Sequence, residues 1–203
     1  MKSTNQLIIQ NQLRDHYKPN FLNYLRRIIL LRKCGYIGSD TIIEKNVQIL
    51  RYTKNISIGK KVILKEGLKL CSANSKASIK IGHNTTLGYH TMIFSSKKII
   101  IGNNCMIAPF CYLIDSNHQI KKDILLNQQP MIAKNIIIKD DVWLGTGVKI
   151  LLGTKISKGA VVAAGSIVNK DIPEYEIHAG IPAKKIGERC LLYTSDAADD
   201  SLR

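Results

Sequence analysis

The sequence predicts an all-β chain that winds into a solenoid of stacked triangular coils. Three observations predict it: aliphatic residues recur at every sixth position, small or β-branched residues recur between them, and aromatics make up only 6% of the chain. A period of six fits neither a lone amphipathic helix nor simple alternating strands. It fits a short strand and a turn, repeated so that three sides close one coil and stacked coils bury a continuous aliphatic column.

The six-residue register is longest in the C-terminal half, where it runs without a break from Ile138 to Val168. Shorter runs come before it, and their first members stand in Ile-Gly pairs: Ile37, Ile58, Ile81 and Ile101. The slips between runs are the predicted loops at corners. We therefore expect the solenoid to span residues 36–172.

The period breaks between Leu113 and Ile138, which are 25 residues apart where one step of six is expected. The excess predicts a protruding loop at about 115–134, and long loops in compact domains are usually functional. His118 stands at the root of this loop. An imidazole held there can act as a general base near neutral pH.

The two ends of the chain lie outside the register. Residues 1–35 include "NFLNYLRRIILLRKCG", which predicts a helix ending at Gly35. That helix either packs over the first coil or, as a basic amphipathic helix, rests on an anionic membrane surface. Residues 173–190 close the repeat and are predicted to form a short capping helix. We interpret the acidic, aperiodic residues 191–203 as a non-native or disordered tail.

Composition narrows the function classes. A net charge of +15 suits an anionic substrate, cofactor or membrane face. The lysines are scattered and accompany no helix-turn-helix or RNA-binding signature, so no nucleic acid partner is predicted. We expect no signal peptide and no membrane span. Five cysteines without framework spacing indicate reduced thiols and a cytoplasmic protein.

The motifs resemble one family. "DSNH" before the loop and "DVWLGTGVKILLGTKISKGAVVAAGSIVNKDIPEYEIHAGIPAKKI" resemble the left-handed parallel β-helix acyltransferases, especially the sugar O-acetyltransferases of bacterial surface polysaccharide synthesis and the maltose/galactoside acetyltransferases. The resemblance covers roughly residues 35–188. It implies a homotrimer with active sites between subunits, acetyl-coenzyme A as co-substrate and no metal. It also implies a sugar, nucleotide-sugar or lipid-linked glycan acceptor. From the cysteines and the basic N-terminal helix we expect a cytoplasmic location or peripheral contact with the inner membrane surface.

The same resemblance implies roles for single residues. His118 takes the proton from the acceptor hydroxyl. Asp115 orients that imidazole, grips the acceptor or has a structural role in a turn. His90 either substitutes in acceptor binding or is a corner histidine whose hydrogen bonds are satisfied. The positions implied to bind the cofactor are Trp143, Thr146, Ala164, Gly165, Asn169, Lys170 and Lys184.

Three alternatives stay open on the sequence. The acceptor is a serine, an amino sugar or a xenobiotic alcohol rather than a polysaccharide sugar. The chain is a zinc enzyme resembling the γ-type carbonic anhydrases, which requires His83, His90 and His118 to converge on one metal. The chain is a β-solenoid scaffold without catalysis.

Overall fold

Each six-residue repeat forms a short strand and a corner, and three such sides make one coil of a parallel β-helix. A computed structural model of the chain describes residues 19–189. The first part contains α1 (Phe21–Lys33), β1 (Tyr36–Ile37), β2 (Ile42–Ile43), β3 (Gln48–Arg51), β4 (Ile56–Ile58), β5 (Ile63–Leu64), β6 (Lys69–Ser72), β7 (Ser78–Ile81), β8 (Thr86–Leu87), β9 (Met92–Ser95), β10 (Lys98–Ile101), β11 (Met106–Ile107) and β12 (Tyr112–Ile114). The second part contains β13 (Ser116–His118), β14 (Met131–Ala133), β15 (Ile136–Ile138), β16 (Trp143–Leu144), β17 (Lys149–Ile150), β18 (Lys155–Ile156), β19 (Val161–Val162), β20 (Ile167–Val168), β21 (Glu176–Gly180) and β22 (Ala183–Glu188). Short 3-10 turns occur at Thr53–Asn55 and Leu126–Gln128.

Three sheets form the faces of a triangular prism. Sheet A has the order β1-β4-β7-β10-β15-β18, sheet B the order β2-β5-β8-β11-β16-β19-β21-β22, and sheet C the order β20-β17-β12-β9-β6-β3. The chain visits A, B and C in turn, so every coil adds one strand to each face. The expectations for residues 1–18 and 191–203 lie outside the described residues.

The predicted register fixes the core. Every aliphatic residue of the unbroken run is at most 1% exposed: Ile138, Leu144, Ile150, Ile156, Val162 and Val168. Small residues between them are buried too: Val142, Val148, Thr154, Ala160 and Ser166. The earlier runs are also buried, except that Ile49 is half-buried. Full burial of one such aliphatic side chain contributes about 1.5–3 kcal/mol, so the column is the main source of stability.

Helix α1 packs against β1 and β2, as the first of the two N-terminal alternatives requires. Asn20 caps its start by accepting a 3.0 Å hydrogen bond from the amide of Asn23. The helix ends at Lys33, before the predicted Gly35. Gly35 belongs instead to the first coil, where its amide donates to the carbonyl oxygen of Ile56 at 3.1 Å.

The predicted C-terminal capping helix is wrong. Residues 176–188 form the antiparallel hairpin β21–β22, and β21 extends sheet B by pairing in parallel with β19. The last coil leaves an open sheet edge whose backbone groups need hydrogen-bond partners, and an added strand supplies them where a helix cannot. His178 takes the inward position beside Val162 at the end of the column.

Candidate active site

The break in the period is an ordered hairpin. Strands β13 and β14 pair antiparallel, with His118 opposite Met131. At the base, the amide of Lys134 donates a 2.9 Å hydrogen bond to the carbonyl oxygen of Asp115. The insertion therefore leaves the solenoid after β12 and returns just before β15 through a closed neck.

Gln129 orders the outer part of this insertion. Its side chain is buried, its Oε1 accepts from the amide of Lys121 at 2.8 Å, and its Nε2 donates to the carbonyl oxygens of Lys121 and Ile124 at 2.9 and 2.7 Å. One amide side chain thus satisfies three backbone groups of the loop. These three bonds tie residues 121–124 to Gln129 and so fix the shape of the loop.

His118 lies exposed near the neck of the hairpin. Its backbone amide donates to Oδ1 of Asn117 at 2.9 Å, and within residues 19–189 its imidazole has no hydrogen-bond or ion-pair partner. The ring borders a shallow depression of about 400 Å³ lined by Asn117, His118, Gln119, Ile120, Lys121 and Ile132. The imidazole is therefore free to accept a proton from a ligand.

Asp115 makes its hydrogen bonds to residues 95–98 and none to His118. Its side chain is fully buried and accepts four hydrogen bonds, from Oγ of Ser95 at 2.9 Å and from the amides of Ser96, Lys97 and Lys98 at 2.6, 2.9 and 2.7 Å. A carboxylate saturated in this way holds a turn. Of the roles expected for Asp115, this geometry supports the structural one.

Four predicted residues come together along the prism edge between sheets B and C: His90, Thr146, Ala164 and Gly165. A backbone ladder runs along this edge, in which the amides of His90, Phe110, Gly147 and Gly165 donate to the carbonyl oxygens of Glu66, Tyr89, Pro109 and Thr146. His90 stacks on Phe110 with ring centroids 5.5 Å apart. We call this line of corners the B/C edge.

The C-terminal part of the B/C edge, around Gly147 and Gly165, is open to solvent. Gly147 and Gly165 have φ angles of 71° and 72°, and a Cβ added at either would meet nothing within 4 Å. Thr146 and Ala164 beside them are exposed. Small residues and accessible backbone of this kind suit a slender chain such as a pantetheine arm. The residues present therefore fit the cofactor implied by the resemblance.

The other predicted cofactor residues lie elsewhere on the prism. Trp143 is 48% exposed on sheet B, beside Met106 and Val161 in the register. Asn169 and Lys170 are exposed at the corner after β20, and Lys184 is exposed on β22. The structure thus groups Thr146, Ala164 and Gly165, with Trp143 next to them, and separates the lysines.

A groove of about 510 Å³ on the outer face of sheet B was not predicted. Its floor is formed by Ile63, Thr86, Met106 and Trp143, and its walls include Asn84, Asn104, Asp141, Tyr89 and Pro109. The sequence does contain a signal for it. The floor residues each precede an inward aliphatic, and most are apolar, whereas lysines occupy that outward position at Lys149 and Lys155.

His118 and the groove lie on opposite sides of the chain. The insertion leaves from the edge between sheets C and A, and that edge is opposite face B in a triangular prism. The groove lining includes no residue of 115–134. One chain therefore does not bring the imidazole to the groove.

The buried thiols are core groups. Burial raises the pKa of Cys105 and of Cys111 to about 11. Their Sγ atoms lie 3.1 and 3.2 Å from the carbonyl oxygens of Lys139 and Gly145. A thiol that stays protonated in this way is a poor nucleophile.

The part of the chain that the structure describes contains neither a candidate metal cluster nor a helix that could cross a membrane. In residues 19–189, no group of three His, Cys, Asp or Glu side chains could hold a metal ion. His83 instead accepts a 2.9 Å hydrogen bond from the amide of Lys60. None of the helices in this range is long and apolar enough to cross a membrane.

Comparison with known proteins decides the family. No family model matches the chain. The chain is 30% identical over 184 residues to the Escherichia coli protein named "Putative lipopolysaccharide biosynthesis O-acetyl transferase WbbJ", covering 82% of this chain and 87% of that one. The chain belongs to the hexapeptide-repeat acetyltransferases. This confirms the resemblance found in its motifs.

Two further relatives define how far the similarity reaches. A Mycobacterium tuberculosis protein named "Probable acetyltransferase" is 32% identical over 171 residues, which cover 84% of this chain but 55% of that protein. The chain thus spans about half the length of several relatives that it matches. A solved structure of galactoside acetyltransferase in complex with coenzyme A is 27% identical, with a TM-score of 0.63 over 86% of this chain and 74% of that one. The predicted left-handed parallel β-helix is confirmed.

Proposed function

We propose that this acetyltransferase transfers the acetyl group of acetyl-coenzyme A to a sugar hydroxyl in bacterial surface polysaccharide biosynthesis. The observation that carries the proposal is the match to WbbJ across most of both chains. Its printed name combines O-acetyl transfer with lipopolysaccharide biosynthesis. The free imidazole of His118 supplies the group that such chemistry needs. The acceptor is a free sugar, a nucleotide sugar or a lipid-linked glycan, and the reaction takes place in the cytoplasm or at the cytoplasmic face of the membrane.

In the proposed mechanism His118 acts as the general base. Bound acetyl-coenzyme A supplies an activated thioester. His118 removes the proton from the acceptor hydroxyl while that oxygen forms a bond to the acetyl carbon, and the same imidazolium then protonates the departing thiolate as the carbon–sulfur bond breaks. A hydroxyl is a poor nucleophile near neutral pH, so such a positioned base accelerates transfer by about two to four orders of magnitude.

We assign the donor to the B/C edge and the acceptor to the groove on sheet B. Thr146, Ala164 and Gly165 offer backbone and small side chains to the pantetheine arm. The groove combines apolar floor residues with amide and carboxylate walls, a mixture that suits the apolar faces and hydroxyl groups of a sugar. Trp143 lines the groove and neighbours the edge, so it lies where donor and acceptor would meet.

The proposed assembly is a homotrimer. His118 and the groove lie on opposite sides of one chain, so a site that contains both requires two copies. Three copies arranged around a threefold axis parallel to the long axis of the prism supply three such sites. Light scattering on the full chain is expected to give about 68 kDa, three times the chain mass of 22.7 kDa. A clean monomer at micromolar concentration would contradict the shared site.

The decisive experiment is an acceptor panel. The purified chain is incubated with acetyl-coenzyme A and with free sugars, nucleotide sugars, serine or amino sugars, and both free thiol and acetylated product are measured. We expect O-acetylation of a sugar, with loss of that activity in Met106→Arg, which fills the groove floor, and retention in Lys80→Glu on sheet A. Transfer to an amine or serine alone would overturn the sugar hydroxyl as acceptor.

A further inference from the structure

Helix α1 turns its polar side toward the solenoid. Asn23 is buried, whereas Arg26, Arg27 and Leu30 are half-buried, a spacing that places all four on one face of the helix. Nε of Arg27 donates to the carbonyl oxygen of Gly38 at 3.2 Å, which ties this face to the first coil. The amphipathic pattern of α1 is therefore inverted with respect to a helix that buries its apolar side on its own protein.

The outward side of α1 is apolar. Seven large side chains there are between 40% and 74% exposed: Phe21, Leu22, Tyr24, Leu25, Ile28, Ile29 and Leu31. At the angular spacing of an α-helix they occupy about half of its circumference. A contiguous apolar surface of this kind on a folded protein marks an interaction site.

Charge identifies the partner of this face. The segment Phe21–Lys33 carries four basic residues and no acidic one. Two of them, Arg26 and Arg27, face the solenoid, whereas Arg32 and Lys33 are exposed in the last turn of the helix. Because α1 has no acidic residue, pairing it with the same helix of a second copy would bring like charges together. An anionic phospholipid bilayer complements both the positive charge and the apolar face.

The length of α1 decides how it would meet a bilayer. Thirteen residues make a helix of about 20 Å, which is shorter than a hydrocarbon core of about 30 Å. The cap at Asn20 fixes the start of the helix at Phe21, and the helix ends at Lys33. The helix can lie in the plane of the interface but is too short to span it.

We propose that α1 is an interfacial anchor that docks the first coil on the surface of an anionic phospholipid bilayer, with Phe21, Leu25 and Ile28 in the apolar boundary and Arg32 and Lys33 at the phosphates. This goes beyond the proposed function, since binding to a bilayer is measured without donor or acceptor. It would bring the enzyme to acceptors that are themselves held at a membrane.

Vesicle co-sedimentation of the full chain tests the anchor. Vesicles of phosphatidylcholine alone are compared with mixed phosphatidylcholine and phosphatidylglycerol vesicles, at low and high salt. We expect binding to the mixed vesicles only, weakened by salt because screening reduces attraction to the surface. The double variant Leu25→Ser/Ile28→Ser should lose at least tenfold in affinity, as should Arg32→Glu/Lys33→Glu. The matched control Ile181→Ser changes an exposed isoleucine at the other end of the solenoid and should bind as wild type.

Each contrary result overturns the anchor. Absence of binding to the mixed vesicles, or unchanged binding by Leu25→Ser/Ile28→Ser, removes the membrane as partner. A change of mass in light scattering of that variant assigns the apolar face to a second copy. Binding that arises only when residues 1–18 are deleted assigns the face to that segment. Acetyl transfer to a water-soluble acceptor, measured on the same variants, should be unchanged, so failure of the anchor is distinguishable from failure of the proposed function.

Discussion

The amide of Lys134 donates a 2.9 Å hydrogen bond to the carbonyl oxygen of Asp115, and this bond closes the neck of the hairpin that carries His118. The side chain of Asp115 meanwhile holds the turn at residues 95–98. Asp115 therefore closes the neck of the hairpin with its backbone and ties it to the neighbouring coil with its carboxylate. A base needs a fixed position, and this connection supplies it without contact to the imidazole.

Replacement of Asp115 should cost stability first. Asp115→Ala leaves three partly buried backbone amides and one buried hydroxyl without their charged acceptor, and hydrogen bonds to charged groups contribute about 1.5–3 kcal/mol each. We expect a fall of about 3 kcal/mol or more in the free energy of unfolding, measured by urea denaturation. Asp123→Ala, which removes an exposed carboxylate in the same insertion, serves as control. Wild-type stability together with a large loss of kcat would instead support the orienting role.

Replacement of His118 should remove catalysis and leave the fold. In His118→Ala, kcat is expected to fall by two to four orders of magnitude, about 3 to 5 kcal/mol of barrier, because the proton loses its acceptor. Coenzyme A affinity and melting temperature should be unchanged. Since a base must be deprotonated, wild-type kcat/KM should rise with pH, and the variant should lack that rise. Asn127→Ala, an exposed change in the same insertion, is the control. Turnover above a tenth of wild type would exclude His118 as the base.

We expect Lys170 and Lys184 to contact the phosphates of acetyl-coenzyme A. If Lys170 and Lys184 meet the phosphates of the donor, Lys170→Glu or Lys184→Glu should raise the KM for acetyl-coenzyme A, and the effect should shrink at high salt because both side chains are exposed. Lys80→Glu on sheet A is the matched charge reversal. Equal donor KM in all three variants would reject the assignment.

The aliphatic column should respond to truncation according to burial. Ile150 is fully buried and Ile49 is half-buried at the equivalent position of an earlier coil. Ile150→Ala is expected to destabilise by about 2–5 kcal/mol, and Ile49→Ala by clearly less. Thermal or urea unfolding of the two variants measures the difference. Equal losses would show that the register does not determine the energetic core.

The buried thiols should make the free energy of unfolding depend on pH in the alkaline range. Because the pKa of Cys105 and Cys111 is about 11 in the folded chain and the ordinary value is 9.0, folding favours the protonated thiol. This stabilisation is complete below pH 9 and is lost as pH rises toward 11. We expect both thiols to resist alkylation in the native chain at pH 8 and to react in urea. In the double variant Cys105→Ala/Cys111→Ala, the fall in stability between pH 9 and 11 should be shallower than in wild type. Rapid native alkylation would contradict their burial.

Much of the fold could be read from local repetition. The six-residue period repeats the same inward residue at each side of each coil, so it identifies Leu144 or Ile150 as core without knowledge of their neighbours. The interruption after Leu113 likewise predicts the insertion and its histidine. Motif resemblance then groups Thr146, Ala164 and Gly165, which the structure does place on one edge.

The sequence by itself determined the solenoid, its core column and the position of the insertion, because these depend on which way each side chain points along a strand. Only the tertiary structure decided that Asp115 binds the turn at 95–98, that residues 176–188 extend sheet B rather than form a helix, and that α1 presents its apolar side outward. It also placed His118 and the groove on opposite sides of the prism. These relationships join residues about one coil or more apart, and their hydrogen bonds and burial exist only once the coils are stacked.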